Sequence, residues 1–251
     1  MPKAMNTPDP RNNPDRPLDW SGFRIGMKTA FGVPGLVMSG SFIGFGALVG
    51  GSGLDLGHGL FMTFTMWALP AQVLFVQLYK QGAPLFAIAL AVSLTAVRLM
   101  PMVVGLLPRV RMSKPHRLLE FIAAHFIAAT VWILAFIHFD HLDRARRMPF
   151  ILGVSVTLFS TMLGLTATGY YLVHELPPLA AAGLIFLTPA FFFISLIAGA
   201  RHKTDRIAIL FGAITGPLAY YMAPGFDMLI AGLLGGTLAF FIGRKAGKAR
   251  K

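Results

Sequence analysis

A chain of 251 residues with 55% hydrophobic and only 13% charged side chains cannot cover a water-facing surface, for which soluble domains use about 25% charged residues. The absence of cysteine excludes a disulfide framework, a thiolate metal site and a cysteine nucleophile. The net charge of +12 sits between apolar stretches and at both ends, with no nucleic-acid-binding motif beside it. It therefore reads as retention on the cytoplasmic side of a membrane rather than as a nucleic-acid surface.

In chain order, residues 1–20 are polar and rich in Pro, Asn and Asp, without the apolar core of a signal peptide. They are expected to form a disordered cytoplasmic tail. A polytopic domain is expected over 21–245, and a short basic cytoplasmic tail over 246–251. A helix needs about 20 apolar residues to cross a bilayer. Eight stretches come near this length: Thr29–Gly50, Gly59–Tyr79, Ala83–Leu107, Leu118–Phe139, Pro149–Val173, Leu179–Ala200, Ile207–Met222 and Phe226–Gly243. The expected fold is thus an all-α integral membrane protein with about eight transmembrane segments, several of them interrupted by proline.

Alternating sides from a cytoplasmic N-terminus puts most of the 22 Lys and Arg inside, with both termini cytoplasmic. Arg109, Arg111, Lys114 and Arg117 fall on the outer side as an exception, and Arg98 falls within a segment. A re-entrant third segment would flip everything after it and erase the charge bias, so eight crossings are expected. A faint internal repeat runs at about 120 residues. It pairs Gly32, Val33 and Ser39 with Gly153, Val154 and Ser160, and Pro70-Ala71 with Pro189-Ala190.

Within the apolar segments a few residues carry chemistry. Pro70 and Pro189 each remove an amide donor and either kink or break their helix. Thr188-Pro189 also reads as an N-cap and first helical residue, and a break there would aim free N–H groups at an anion such as a carboxylate. Gln72 is an interior amide that either binds substrate or hydrogen-bonds a neighbouring helix. Arg98 is a candidate for charge recognition or gating; it can also snorkel to the nearby basic loop or pair with Glu120. His125 can carry a proton or serve as a helix–helix hydrogen bonder. Ser39, Ser41, Gly44 and Gly46 form a small-residue face for packing or for lining a site. The ten acids lie outside the deep parts of the segments, and no metal-ligand spacing, Walker loop or hydrolase elbow occurs. Neither a cofactor, a metal nor an enzymatic activity is expected.

The chain resembles the AzlC-type branched-chain amino acid permeases. The resemblance rests on Gly22-Phe23-Arg24-Ile25-Gly26 with Pro34 and Phe42-Ile43-Gly44-Phe45-Gly46, then Leu69-Pro70-Ala71-Gln72-Val73. Further on it takes in Val97-Arg98-Leu99-Met100-Pro101 with Gly105 and Pro108, and Ile185-Phe186-Leu187-Thr188-Pro189-Ala190-Phe191-Phe192. It implies a permease of a bacterial inner membrane that exports branched-chain or other apolar amino acids by ion-gradient-driven alternating access. It also implies a small AzlD-type membrane subunit as partner, beside the membrane lipids. Ala96 and Leu99 stand where the family has Asn and His, and His125-Phe126 stands near its Asp-Glu pair. On this reading Pro70, Gln72, Arg98, Thr188 and Pro189 frame the substrate, with walls from Phe75, Phe186, Phe191 and Phe192, and His125 substitutes for the acid. The alternative is a membrane scaffold or accessory subunit with no substrate of its own.

Overall fold

The computed structural model describes residues 13–97, 99–112, 116–199, 203–222, 230–238 and 241. Its long elements are helices, and no strand occurs among the described residues. The chain opens with α1 (Ser21–Ala30) and α2 (Val33–Gly50), the second long and apolar enough to span a membrane. The two separate because Pro34, in the first turn of α2, has no N–H to give the Ala30 carbonyl. Its counterpart α9 (Arg144–Glu175) runs unbroken for 32 residues.

These two rods lie side by side and parallel, with Gly22 against Arg146 at one end and Gly46 against Thr166 towards the other. The contact is reciprocal. Gly26 sits on the Phe150 carbonyl and Gly153 on that of Phe23; farther along, Gly46 sits on the Thr166 carbonyl and Gly169 on that of Ile43. At each of these positions a Cβ would collide with backbone, so glycine is what lets the helices approach. The two helical rods therefore form a parallel pair, both starting at the same end of the molecule.

Between these rods the chain does something that the apolar stretches do not announce. From the end opposite the N-terminus, α3 (Leu56–Thr65) runs inward with Gly59 against Val49, and α4 (Leu69–Lys80) follows after a break at residues 66–68. The Gln72 amide reaches the Met62 carbonyl at 3.3 Å, across ten residues. A continuous helix would hold those residues about 15 Å apart, so α4 turns back beside α3. After a tight turn at Gly82 (φ 69°), α5 (Leu85–Val97) and α6 (Met100–Val110) together cross the molecule with a bend of 42°. Next come α7 (Arg117–Phe126) and α8 (Ala129–His138), which are bent by 113° at residues 127–128 and form a second re-entrant hairpin, entering from the N-terminal end. After α9, α10 (Pro178–Gly199) returns along α2 and α11 (Lys203–Met222) follows.

Three expectations change. The second and fourth apolar stretches turn back instead of crossing. Among the described residues two single helices, α2 and α9, are long and apolar enough to span a membrane, rising to four spans if each bent pair counts as one. Arg109 and Arg111, expected on the outer side, lie at the same end as the start of α9. Arg144 donates to the carbonyls of Pro108 (3.0 Å) and Arg111 (2.9 Å), and Arg147 to those of Arg109 (3.4 Å), Phe139 (3.0 Å) and Leu142 (3.2 Å). The start of α1 joins them through Arg146 and Asp19 (2.6 Å). The exception to the charge pattern disappears because α3–α4 turns back, so that α5–α6 carries the chain to the basic end, and α7–α8 then returns the start of α9 to that end. Finally, α10 runs straight through Thr188 and Pro189, with no new helix start there.

Candidate functional site

The breaks converge. A cavity of about 170 Å³ opens midway along α2 and α9, and its lining includes Ala68, Leu69 and Pro70 from the first hairpin tip, Ala128–Val131 from the second, and Leu99 from the bend between α5 and α6. Met38 and Phe42 of α2, Trp67, and Leu158 of α9 complete its apolar wall. An apolar cavity of about 150 Å³ takes up benzene, so this space suits a side chain of aliphatic size.

The polarity of the rim follows from which helix ends reach it. α4, α6 and α8 each begin at a break, and the first N–H groups of a helix have no intrahelical acceptor. Pro70 and Pro101 occupy first-turn positions where the missing amide costs nothing. Several carbonyls at the ends of α3 and α7 are taken up. Gln72, fully buried, donates its amide to Met62 (3.3 Å) and Met66 (2.5 Å). The Met66 and Phe126 carbonyls also accept the N–H groups of Ala68 and Ala128. His125 Nε2 lies 3.3 Å from the Phe64 carbonyl and ties the two tips together. The first turns of α4 and α8 and the residue before α6 thus line the cavity, with the positive ends of those helix dipoles at its rim. Gln72 Oε1, oriented by its amide bonds, is buried without a partner.

Trp67 holds the first tip in place. Its indole packs edge-on to Phe126 (5.6 Å between centroids) and lies near Phe159 (5.7 Å) and Phe42 (6.3 Å), joining both hairpins to α2 and α9.

Of the residues singled out in the sequence, Pro70 and Gln72 belong to this region, and His125 stands behind it with an exposed ring. Arg98 lies outside the described residues; its neighbour Leu99 lines the cavity. Thr188 and Pro189 do not meet the others. The buried Thr188 hydroxyl donates to the Ser41 carbonyl (3.0 Å) and packs on Gly44, about 200° around α2 from Phe42. Ser39, Ser41, Gly44 and Gly46 serve packing: the two serines bond within α2 and the glycines receive α10 and α9. Phe75 stacks on Tyr79, and Phe186 is exposed, so neither forms the wall. The side chains of Phe191 and Phe192 lie outside the described set. Sequence reading missed Trp67 and residues 127–131, where only the run Ile-Ala-Ala-Thr hints that an apolar helix stops. No group of three His, Cys, Asp or Glu is placed to hold a metal among the described residues.

A family model described as AzlC protein matches residues 35–176. That range runs from α2 to the end of α9 and contains every residue lining the cavity, while Thr188 and Pro189 fall beyond it. Comparisons with curated proteins and with solved structures find no match.

Proposed function

This chain belongs to the AzlC family, a family of membrane transporters, and on that premise we propose that it exports branched-chain or other apolar amino acids across a bacterial inner membrane. In this reading the cavity is the substrate site and the two hairpin tips are the moving parts of an ion-gradient-driven, alternating-access cycle. The observation that carries it is the meeting of three helix N-termini at one apolar cavity of about 170 Å³. An α-carboxylate is the anion that such amide ends stabilise. The aliphatic side chain then enters the space bounded by Met38, Phe42 and Leu158, and Gln72 Oε1, buried without a partner two residues beyond the lining residue Pro70, is the acceptor for the α-ammonium group once the first tip moves. Arg98 adds charge recognition or gating beside Leu99. The basic end is the cytoplasmic face, in keeping with the retention of positive charge there. A small AzlD-type subunit completes the carrier in the membrane.

Counterflow in proteoliposomes tests this without assuming a driving ion. With unlabelled valine, leucine or methionine inside, labelled amino acid is expected to accumulate above the level of empty liposomes. Folded protein that gives no counterflow, alone or with the small partner, would leave the accessory-subunit reading in its place.

A further inference from the structure

We propose that Glu120 is a positioning residue whose protonation releases the α7–α8 hairpin, a reading that rests on the transport function above. Glu120 lies in the first turn of α7, at the base of the hairpin whose tip lines the cavity. Its carboxylate is held from one side only. Arg111, just past the end of α6, directs Nε (3.1 Å) and Nη2 (2.8 Å) onto the same oxygen, Oε2. The other oxygen, Oε1, is buried with no hydrogen-bond partner.

The two partners stand in unequal surroundings: the Arg111 side chain is 56% exposed and that of Glu120 only 9%. When the pair opens, water solvates the guanidinium at once. The carboxylate stays buried, with Oε1 already lacking a hydrogen-bond partner. A proton from water at the basic end then adds to Oε1, leaving a neutral carboxylic acid; when α7 returns to Arg111, that proton goes back to the same water.

No other described group competes for this carboxylate. On α9, Arg144 and Arg147 are spent on carbonyls of the α6 end and of the 139–142 turn. On α6, Arg109 stacks over Phe136 at 4.2 Å. In the turn before α9, Asp143 pairs with Arg16 (3.7 Å), and neither Asp140 nor His141 bonds to Glu120. His116 and Arg117, at the start of α7, make no bond to Oε1. His125, on the same helix, is engaged with Phe64 instead. The ion pair therefore fastens the base of a hairpin whose far end, Ile127, is about 10 Å further along the helix axis. Unfastening it frees residues 128–131 to leave the cavity.

The test is the pH profile of counterflow, with equal pH on both sides so that no gradient contributes. Wild-type exchange is expected to accelerate as pH falls, by about tenfold, the factor carried by one charge-assisted pair. Glu120→Gln should be fast and flat with pH, Glu120→Asp should keep a pH-dependent profile, and His125→Gln, which alters the rate through the bond to Phe64, should still accelerate as pH falls. An infrared pH-difference spectrum of the liposome-embedded protein supplies a readout that needs no substrate. A carboxylic-acid band should grow in with falling pH and be lost in Glu120→Gln. A wild-type profile retained by Glu120→Gln, a flat one in His125→Gln, or an infrared band untouched by Glu120→Gln would each overturn the assignment. Absent counterflow in the wild type sinks the transport reading instead, and the infrared band still decides the role of Glu120.

Discussion

Pro70 and Pro189 stand at similar levels beside α2, one against Met38 and Phe42, the other next to Thr188 on Ser41 and Gly44. Each removes one amide from an apolar helix and disfavours the helical conformation of the residue before it. Yet the chain breaks ahead of Pro70 and continues through Pro189. The difference lies in what takes up the freed carbonyls and what gains by leaving the helix. Before Pro70, Gln72 accommodates two carbonyls of the α3 end, and Trp67 gains an aromatic pocket that only an unwound segment can reach. Around Pro189 the Thr188 hydroxyl serves a carbonyl of another helix, and that bond needs Thr188 to stay in helical register. Proline permits a break; the neighbouring side chains decide it.

The comparison is broken most directly at Trp67. Trp67→Ala deletes the contact that repays unwinding, and large aromatic truncations in a packed interior cost about 3–5 kcal/mol. Thermal unfolding in detergent should fall accordingly and counterflow should be lost, whereas a near-normal midpoint would show that the tip does not depend on the indole.

Gln72→Leu comes next, because it removes one of two hydrogen bonds from each of the Met62 and Met66 carbonyls, which keep the N–H groups of Met66 and Ala68, at a cost of about 0.5–1.5 kcal/mol each. Thr188→Val, its counterpart beside Pro189, removes one hydrogen bond to Ser41 and should cost about 1 kcal/mol with the apparent KM of counterflow unchanged. Equal effects on transport from the two would erase the distinction between the regions.

The prolines themselves sharpen it. Pro189→Ala returns an N–H to the Ile185 carbonyl inside a continuous helix and should leave stability equal or higher, with about 3 kcal/mol as the ceiling. Pro70→Ala sits where no amide was needed and should change stability little, but it alters the rim of the cavity and should raise the KM of counterflow.

Much of the helical content was legible from hydropathy alone, and α2 and α9 emerge close to the apolar stretches that forecast them. Direction was not. Gly59–Tyr79 and Leu118–Phe139 are as apolar on one side of the break as on the other, so a length criterion reads a hairpin and a crossing alike. The one available clue was electrostatic: the basic run at Arg109–Arg117 did not fit the alternating scheme, and re-entrant second and fourth segments together accommodate it. The Thr188-Pro189 signature misled because a threonine hydroxyl caps a helix or bridges to another with equal ease, and only the position of Ser41 distinguishes the two. Glu120 likewise looked peripheral in a linear count. Folding α7 against α6 is what buries it.

The smallest expected effect lies far from both prolines, at the clamp between the start of α1 and α9. Hydrogen bonds from Ser21 and from Arg146 hold the Asp19 carboxyl at about 2, below the usual carboxylate range. Because the folded-state value is depressed, the stabilisation is complete above the unfolded value near pH 4 and is lost as pH falls towards 2. Both side chains are about 40% exposed, so water and salt screen the pair and the gain is modest. Asp19→Asn should lower the unfolding midpoint slightly at pH 7, converge with the wild type by pH 2–3, and leave counterflow as it was. A loss of transport from so remote and solvated a pair would mean that the basic end moves with the hairpin tips, and that the breaks at mid-height are not where the cycle is controlled.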